Sequence, residues 1–548
     1  PLLLAAALVV AGALLSLPVS VNRWATLQWT LRLVAFAAAY GIAAHVTPSR
    51  NAARALVRAL LVVGFLLAVY GLVVTLAGNR VVLYATKTAY RDSLTGTFVN
   101  RNHFAAFLAL SLYPALGLFA AGSRRSRALL VLPLAAALLA LSLTLSRGGL
   151  LAAAAALPFF LALLPRAHRR SLAVATLAVG LAGAGLLATN AERLKGRIEA
   201  TFDPDGEPSA MARLSLWRST LRATAERPVT GFGAGTFESF YPRFREVGIA
   251  RKVSYAHQDY LELAAEQGLL GVGLGVAALA LAALGLRRAL ATAGGDRHLA
   301  AGLAAGIAAV AIQALVDFPF KIPAIPLWAA TYAGLATALG ERPPRLGRRA
   351  SRTLGVLALT SLVLTAALGI RTALADRHLR RADALFGQPS WDAAAVEYER
   401  ALRLDPMNPA PWRGLARTEL NRSKFRIRDG KDVRRTLAAS ALEHLEEAGA
   451  RDSAVPDIKL EKAWLLNFLG RPEEAARAYD RAVLDDPANA NVLFHAASFH
   501  LHLGQTETGL DLLGRAVRAW PNFFGGKIHE IDRAVGAPDR VLAILPRD

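Results

Sequence analysis

Residues Arg213 to Gly268 read RLSLWRSTLRATAERPVTGFGAGTFESFYPRFREVGIARKVSYAHQDYLELAAEQG. The stretch is rich in arginine, holds a glycine-rich turn, and ends with a histidine just before an apolar helix. It lies between hydrophobic segments, and that contrast decides the fold. Runs of 17 to 25 apolar residues recur up to about residue 373. Such runs are long enough to cross the roughly 30 Å hydrocarbon core as helices. In lipid only helices and closed barrels satisfy every backbone polar group. These runs are too long and too rich in Ala and Leu for barrel strands. The fold class read from the sequence is therefore all-α, a polytopic membrane bundle followed by a second helical domain.

Eleven spans are expected, at about 2–18, 27–44, 55–78, 102–121, 128–146, 148–164, 171–189, 259–286, 298–316, 322–340 and 353–373. The short loops carry Lys and Arg unequally. One set, from Arg50, Arg54 and Arg58 through to Arg348, Arg349 and Arg352, holds 17 of them against 7 in the other set. The richer set is assigned to the cytoplasm. The loop 190–258 and everything after 373 then fall outside the cytoplasmic membrane, and the expected location is a bacterial inner membrane.

A chain of 548 residues exceeds one core and predicts at least two domains, 1–373 and 374–548. Hydrophobic residues make up 54% of it. Net charge is +22, but the excess sits in short loops between apolar runs, which argues against nucleic acid as a partner. There is no cysteine, which excludes disulfides, thiolate metal sites and thiol catalysis. The sequence opens on Pro1; a few residues are expected to precede it, and the first apolar run reads as a retained helix.

The loop 190–256 carries 11 Lys and Arg against 8 Asp and Glu. Position matters more than sum. Arg213 and Trp217 lie one turn apart on an expected amphipathic helix, with Trp217 as an interfacial anchor and Arg218 beside it. Guanidinium forks match phosphate oxygens bidentately. PVTGFGAGTF has no preceding strand and no following Lys-Ser/Thr, so a nucleotide-binding loop is a poor reading, and a tight turn is the better one. His257 is the side chain best suited to proton transfer near neutrality. Glu262 and Glu266 follow one turn apart and read as a polar helix face. No metal or cofactor is expected, since no His-Glu-x-x-His element or paired acidic site is present.

Four further residues sit at the same expected depth. Arg147, in LSRGGLL, is either a snorkelling helix end or a cation with an anionic partner. Asn100 and Asn102, in GTFVNRNHFA, open the fourth span, where asparagine commonly serves as an N-cap. Asp317, in DFPFKIP, is either a site residue or a turn residue paired with Lys321.

These pieces resemble the O-antigen ligase/polymerase superfamily of bacterial membrane glycosyltransferases. The matching elements are GTFVNRNHFAAFLAL, LSRGGLL, Arg213 with Trp217, RPVTGFGAGTF, His257 with Gly268 eleven residues on, and DFPFKIP, together covering about residues 60–340. The resemblance implies a GT-C-like, metal-independent, inverting transfer of a glycan from undecaprenyl diphosphate to an acceptor hydroxyl. It implies catalytic roles for Arg147 and Arg213 at the diphosphate and for His257 at the acceptor hydroxyl. Arg218, Asn100, Asn102, Gln258 and Asp317 would bind substrate. The chain departs from the family in having Gln258 where Asn is common and Lys321 where His is expected.

After about residue 375, helical segments recur with small residues at fixed positions. Gly470 and Gly504 are 34 residues apart, as are Pro487 and Pro521. That is the tetratricopeptide period, whose stacked helix pairs build a concave binding surface. The domain is either an inert cap or a holder for the acceptor, a protein partner or the growing glycan. The acceptor itself stays open between lipid A core, a second lipid-linked repeat unit and a protein hydroxyl. The repeats favour polymerisation or protein O-glycosylation over a plain core ligase. A lipid-linked glycan transporter and an assembly scaffold are the alternatives outside catalysis.

Overall fold

A computed structural model describes residues 1–47, 49–79, 81–83, 85–87, 90–91, 93–165, 210–246, 253–340, 348–388, 390–425 and 430–520. The expected span 171–189, the first part of the long loop and Pro521 lie outside these residues.

The described residues are almost entirely helical. The first part comprises α1 (Leu2–Leu15), α2 (Arg23–Gly41), α3 (Arg50–Leu76), α4 (Arg101–Ala121), α5 (Arg124–Leu143), α6 (Arg147–Leu163), α7 (Ala210–Glu226), α8 (Asp259–Thr292), α9 (Arg297–Gln313) and α10 (Ala324–Leu339). A two-residue hairpin, Val81–Val82 with Ala85–Thr86, follows α3. Five helices are long and apolar enough to cross a membrane, starting at Arg23, Arg50, Arg101, Arg124 and Asp259; those at Leu2, Arg147 and Ala324 are apolar but shorter. The first span is thus shorter than expected, because the chain leaves the helix at Ser16 and turns through Leu17 and Pro18.

Helix α4 is the axis of the bundle, buried along nearly its whole length. It packs against α9 through small residues. A Cβ on Gly302 would overlap Tyr113 O, one on Gly306 would overlap Leu110 O, and one on Gly117 would overlap His298 O. These contacts run in opposite directions along the two helices, so they are antiparallel, and the glycines let the backbones touch. Without a hydrophobic drive between helices in lipid, such close packing supplies the attraction. The outward faces are apolar instead: Leu129, Leu132, Leu151, Leu269 and Val276 are all more than 60% exposed. A belt of that kind suits a lipid environment and not water.

The bundle has two distinct ends. At one, Arg54 pairs with Asp296 at 2.6 Å, and Arg50 donates to the carbonyls of Thr292 and Gly340. At the other lie the starts of α4, α6 and α8 and the whole α9–α10 connection. The two sets of loop arginines that the sequence distinguishes therefore fall at opposite ends wherever they are described.

The second part begins without a break. Helix α11 (Arg348–Gly387) runs from the last apolar stretch straight into the repeats, so the division at 373 falls inside a helix rather than at a linker. After it come α12 (Trp391–Leu404), α13 (Pro409–Phe425), α14 (Gly430–Arg451), α15 (Pro456–Phe468), α16 (Pro472–Asp485), α17 (Ala490–His502) and α18 (Thr506–Ala519), packed as successive pairs. Gly470 and Gly504 occupy equivalent inter-helix turns with φ of +80° and +76°, a conformation glycine adopts without cost.

This solenoid docks on the same end of the bundle through three aspartates. Asp405 accepts from Trp24 Nε1 at 2.9 Å, and Asp452 accepts from Asn22 Nδ2 at 2.7 Å and Ser239 Oγ at 2.8 Å. Asp486 pairs with Arg245 Nε at 2.8 Å, both side chains being nearly buried. Breaking a buried pair of this kind by removing one partner costs about 3–5 kcal/mol.

Candidate active site

Three helices begin at the docked end in the same way. Val99, Leu145 and His257 have φ of +62°, +55° and +53°. Each is followed at once by a residue whose side chain caps the helix: Asn100 for α4, Ser146 for α6 and Gln258 for α8. A left-handed conformation is uncommon outside glycine and costs energy unless the surroundings impose it. Its repetition at three helix starts in one region marks a built arrangement. Helix N-termini carry partial positive charge and orphan N–H groups that favour anions.

The connection 313–318 threads among these three starts. Gln313 Nε2 donates to Asn102 O at 2.9 Å. The backbone N–H of Asp259 donates to Ala314 O and Asp317 O at 3.1 and 3.2 Å. Gly148, next to Arg147, faces Val316. Arg213, from α7, donates through Nη1 to Val316 O at 3.1 Å. Arg213 thus reaches this short segment, and the first turn of α6, where Arg147 stands, packs beside it through Gly148. Arg147 is exposed at the first turn of α6.

Phe318 organises the histidines. His257 and His103 meet its ring edge to face at 4.8 and 4.7 Å, and Tyr255 stacks on it at 4.4 Å. His257 Nδ1 lies 3.9 Å from Asp317 Oδ1, too far for a hydrogen bond. His257 Nδ1 and His103 Nε2 are both buried without a hydrogen-bond partner. Burial, then the Arg213 charge, then His103 hold His257 down to about 3, so it is neutral at pH 7. At that value the free imidazole is a weak base; a bound anion that offsets the Arg213 charge would raise it towards the range in which it accepts a proton from a hydroxyl.

The glycine turn is structural, as its sequence context predicts. Gly231, Gly233 and Gly235 all have positive φ, and the turn lies against a break in α8. Gly268 has φ +61° inside that helix. Leu269 and Leu270 donate to Pro228 O and Val229 O in place of the helical carbonyls. A Cβ on Gly268 would overlap Val229, and one on Gly231 would overlap Glu266. The histidine and the glycine eleven residues on therefore bracket one short helical segment, fixed at both ends by left-handed backbone.

That segment carries a buried cluster. Lys321 Nζ contacts Glu262 at 2.7 Å and Glu266 at 2.9 Å and sits 4.4 Å over the Trp29 ring. The pairing of Lys321 with Asp317 weighed from the sequence gives way to this one, because Lys321 lies on the next turn and points to α8. Glu262 Oε2 also accepts from Ala256 N at 2.6 Å, fixing the residue before His257.

The other expected site residues divide. Asp317 is with His257. Asn100 and Gln258 use their side-chain oxygens as caps, and Asn102 is buried beside Gln313. Arg218 is exposed and lies five residues from Arg213, on another face of α7. Trp217, expected as an interfacial anchor, donates from its indole to Ala256 O at 3.1 Å and ties α7 to the His257 loop. Sequence reasoning does not bring out His103, Tyr255 and Phe318 as a group. The histidine in VNRNHFA is a visible signal for one of them. Among the described residues no group of three or more His, Asp or Glu side chains is placed to hold a metal ion.

Apolar helices with a cluster of arginine, histidine and carboxylate at one end describe a membrane protein with a polar end face. Residues 132–276 match the family model described as O-antigen ligase, so the chain carries an O-antigen ligase family domain. Arg147, Arg213, His257 and Gly268 lie inside the matched span; Asn100, Asn102 and Asp317 lie outside it. No curated protein matches the chain. Among solved structures, MamA is 16% identical over 30% of this chain and 89% of its own, with a TM-score of 0.25. A thermophilic TPR protein of Thermus thermophilus is 18% identical over 31% and 99%, at 0.21. YrrB, described as a TPR protein with an unusual peptide-binding site, is 17% identical over 31% and 86%, at 0.23.

Proposed function

We propose that the chain is an integral-membrane glycosyltransferase that moves a glycan from an undecaprenyl-diphosphate carrier to an acceptor hydroxyl, without a metal and with inversion. The observation that carries this reading is the convergence of Arg213 and His257 on the 313–318 connection, among three helix N-termini, one of which begins at Arg147. Negative charge develops on the diphosphate as the glycosidic bond breaks. Fixed guanidinium groups and helix N-termini at a membrane surface stabilise that charge. His257, neutral and facing Asp317, would take the proton of the acceptor hydroxyl as it attacks the anomeric carbon from the face opposite the leaving group. Lys321, where the family resemblance leads one to expect histidine, is occupied with Glu262 and Glu266 and is read as structural.

The acceptor is read as a growing glycan or a protein rather than lipid A core, since a docked helical solenoid roofs the same end. A deletion strain complemented with wild type or His257→Ala tests this through its lipid-linked and surface glycans. Single repeat units where long chains stood indicate a polymerase. Long chains that stay on the carrier indicate a ligase. Unchanged profiles reject the reading.

A further inference from the structure

A cleft of about 730 Å³ lies between the solenoid and the docked end of the bundle. We propose that it binds a neutral oligosaccharide, the acceptor strand, beside the His257 site. This rests on the transferase reading and deepens it.

The lining argues for sugar by its charge state. Carboxylates outnumber cations in it, and three of its four cations are already matched by carboxylates within the protein. Lys321 is held by Glu262 and Glu266, Arg245 by Asp486, and Arg413 by Asp457 at 2.9 Å. Asp452 accepts from Asn22 and Ser239. A strongly charged ligand would have to break these pairs. A neutral chain of hydroxyls need not.

The remaining polar groups suit hydroxyls. Gln28 and Asn491 present amides from opposite walls, and Asn408 adds its Nδ2, its oxygen capping Ala410 N. An amide offers donor and acceptor side by side, and a hydroxyl is both at once. Aromatic surface comes from Trp24, Trp29 and Tyr255 on the bundle side and Trp520 on the solenoid side. Flat rings beside amides, with most cations already paired, match the alternating apolar faces and hydroxyl edges of pyranose rings.

The cleft also abuts the proposed site. Tyr255 lines it and stacks on Phe318, and Phe318 in turn meets the His257 ring. One aromatic ring therefore separates the cleft wall from the histidine. Glu262 and Glu266, on the segment that His257 and Gly268 bracket, form part of the floor. A strand lying along the cleft would have one end at Tyr255, beside the Phe318 ring that packs on His257, and its successive units on the repeats.

The test uses the full chain in lipid nanodiscs. The probe is the set of neutral oligosaccharides released by mild acid from the surface polysaccharide of the encoding strain. Binding is measured calorimetrically for wild type, Gln28→Ala and Asn491→Ala, with helical content and melting temperature checked for each. The expected result is binding by wild type that weakens about tenfold or more in each variant, one lost amide contact costing roughly one decade. Binding that is unchanged in both variants, or seen only with peptides, overturns the inference. Failure of the transferase reading shows separately, as absence of transfer by wild type in reconstituted liposomes.

Discussion

The Arg213 guanidinium donates to the Val316 carbonyl at 3.1 Å, so the α7 arginine is held against the same connection that Gly148 faces from α6. The two arginines need no contact with each other to act on one anion. Arg147→Ala and Arg213→Ala are each expected to lower transfer about 10²–10³-fold, the loss typical of one removed charge-stabilising donor. Arg213→Lys should recover only part, since an ammonium lacks the fork. Arg218→Ala, on another face of α7, should stay near wild type. Initial rates with purified protein check all four.

Gly268 sits at φ +61° where a Cβ would overlap Val229. Gly268→Ala is therefore expected to destabilise by at least the roughly 1–3 kcal/mol of a strained left-handed residue. It should also lose activity, because the break aims the segment that carries His257. Thermal melts alongside transfer rates decide this. A variant as stable and active as wild type would show that the glycine turn is not a support.

These two cases also show what the sequence can tell. Helical bundle, solenoid repeats and the turn role of GFGAG are legible, because apolar run length, the 34-residue period and glycine clusters are local patterns. Arg147, Arg213, His257 and Asp317 are visible as separate residues on four elements. Phe318 is not, since nothing local says that two histidines and a tyrosine will share one ring. Sequence distance alone pairs Lys321 with the nearer carboxylate. The kinked α8 brings Glu262 and Glu266 closer, and only the fold decides that. Trp217 has the composition of an interfacial anchor, yet its partner is a carbonyl 39 residues away.

Lys321 is buried between two carboxylates. Lys321→Met should leave both uncompensated and cost about 3–5 kcal/mol. Adding Glu262→Gln and Glu266→Gln should return part of that stability, since no buried charge then lacks a partner. Unfolding curves in a mild detergent provide the measurement. A Lys321→Met protein as stable as wild type would argue that the cluster carries little.

Burial, Arg213 and His103 lower His257 from 6.5 to about 3. Between those values the unfolded chain binds a proton that the folded chain does not. This group's contribution to stability is therefore full above about pH 6.5 and is lost as pH falls towards 3. His257→Asn should lose less stability than wild type on acidification through that window. For the same reason kcat/KM should show no acid limb near 6.5 arising from His257, whereas bound diphosphate would offset Arg213 and shift the limb of kcat upwards. Melts and pH–rate profiles check the two parts.

The most direct test of the account is reconstituted transfer. Purified wild type and Arg213→Ala, in liposomes, receive a radiolabelled undecaprenyl-diphosphate-linked glycan and an acceptor glycan in the presence of chelator. The account predicts that wild type releases undecaprenyl diphosphate in step with glycan joined to the acceptor, and that Arg213→Ala does not. Absence of transfer by wild type, or equal rates in both proteins, would contradict it.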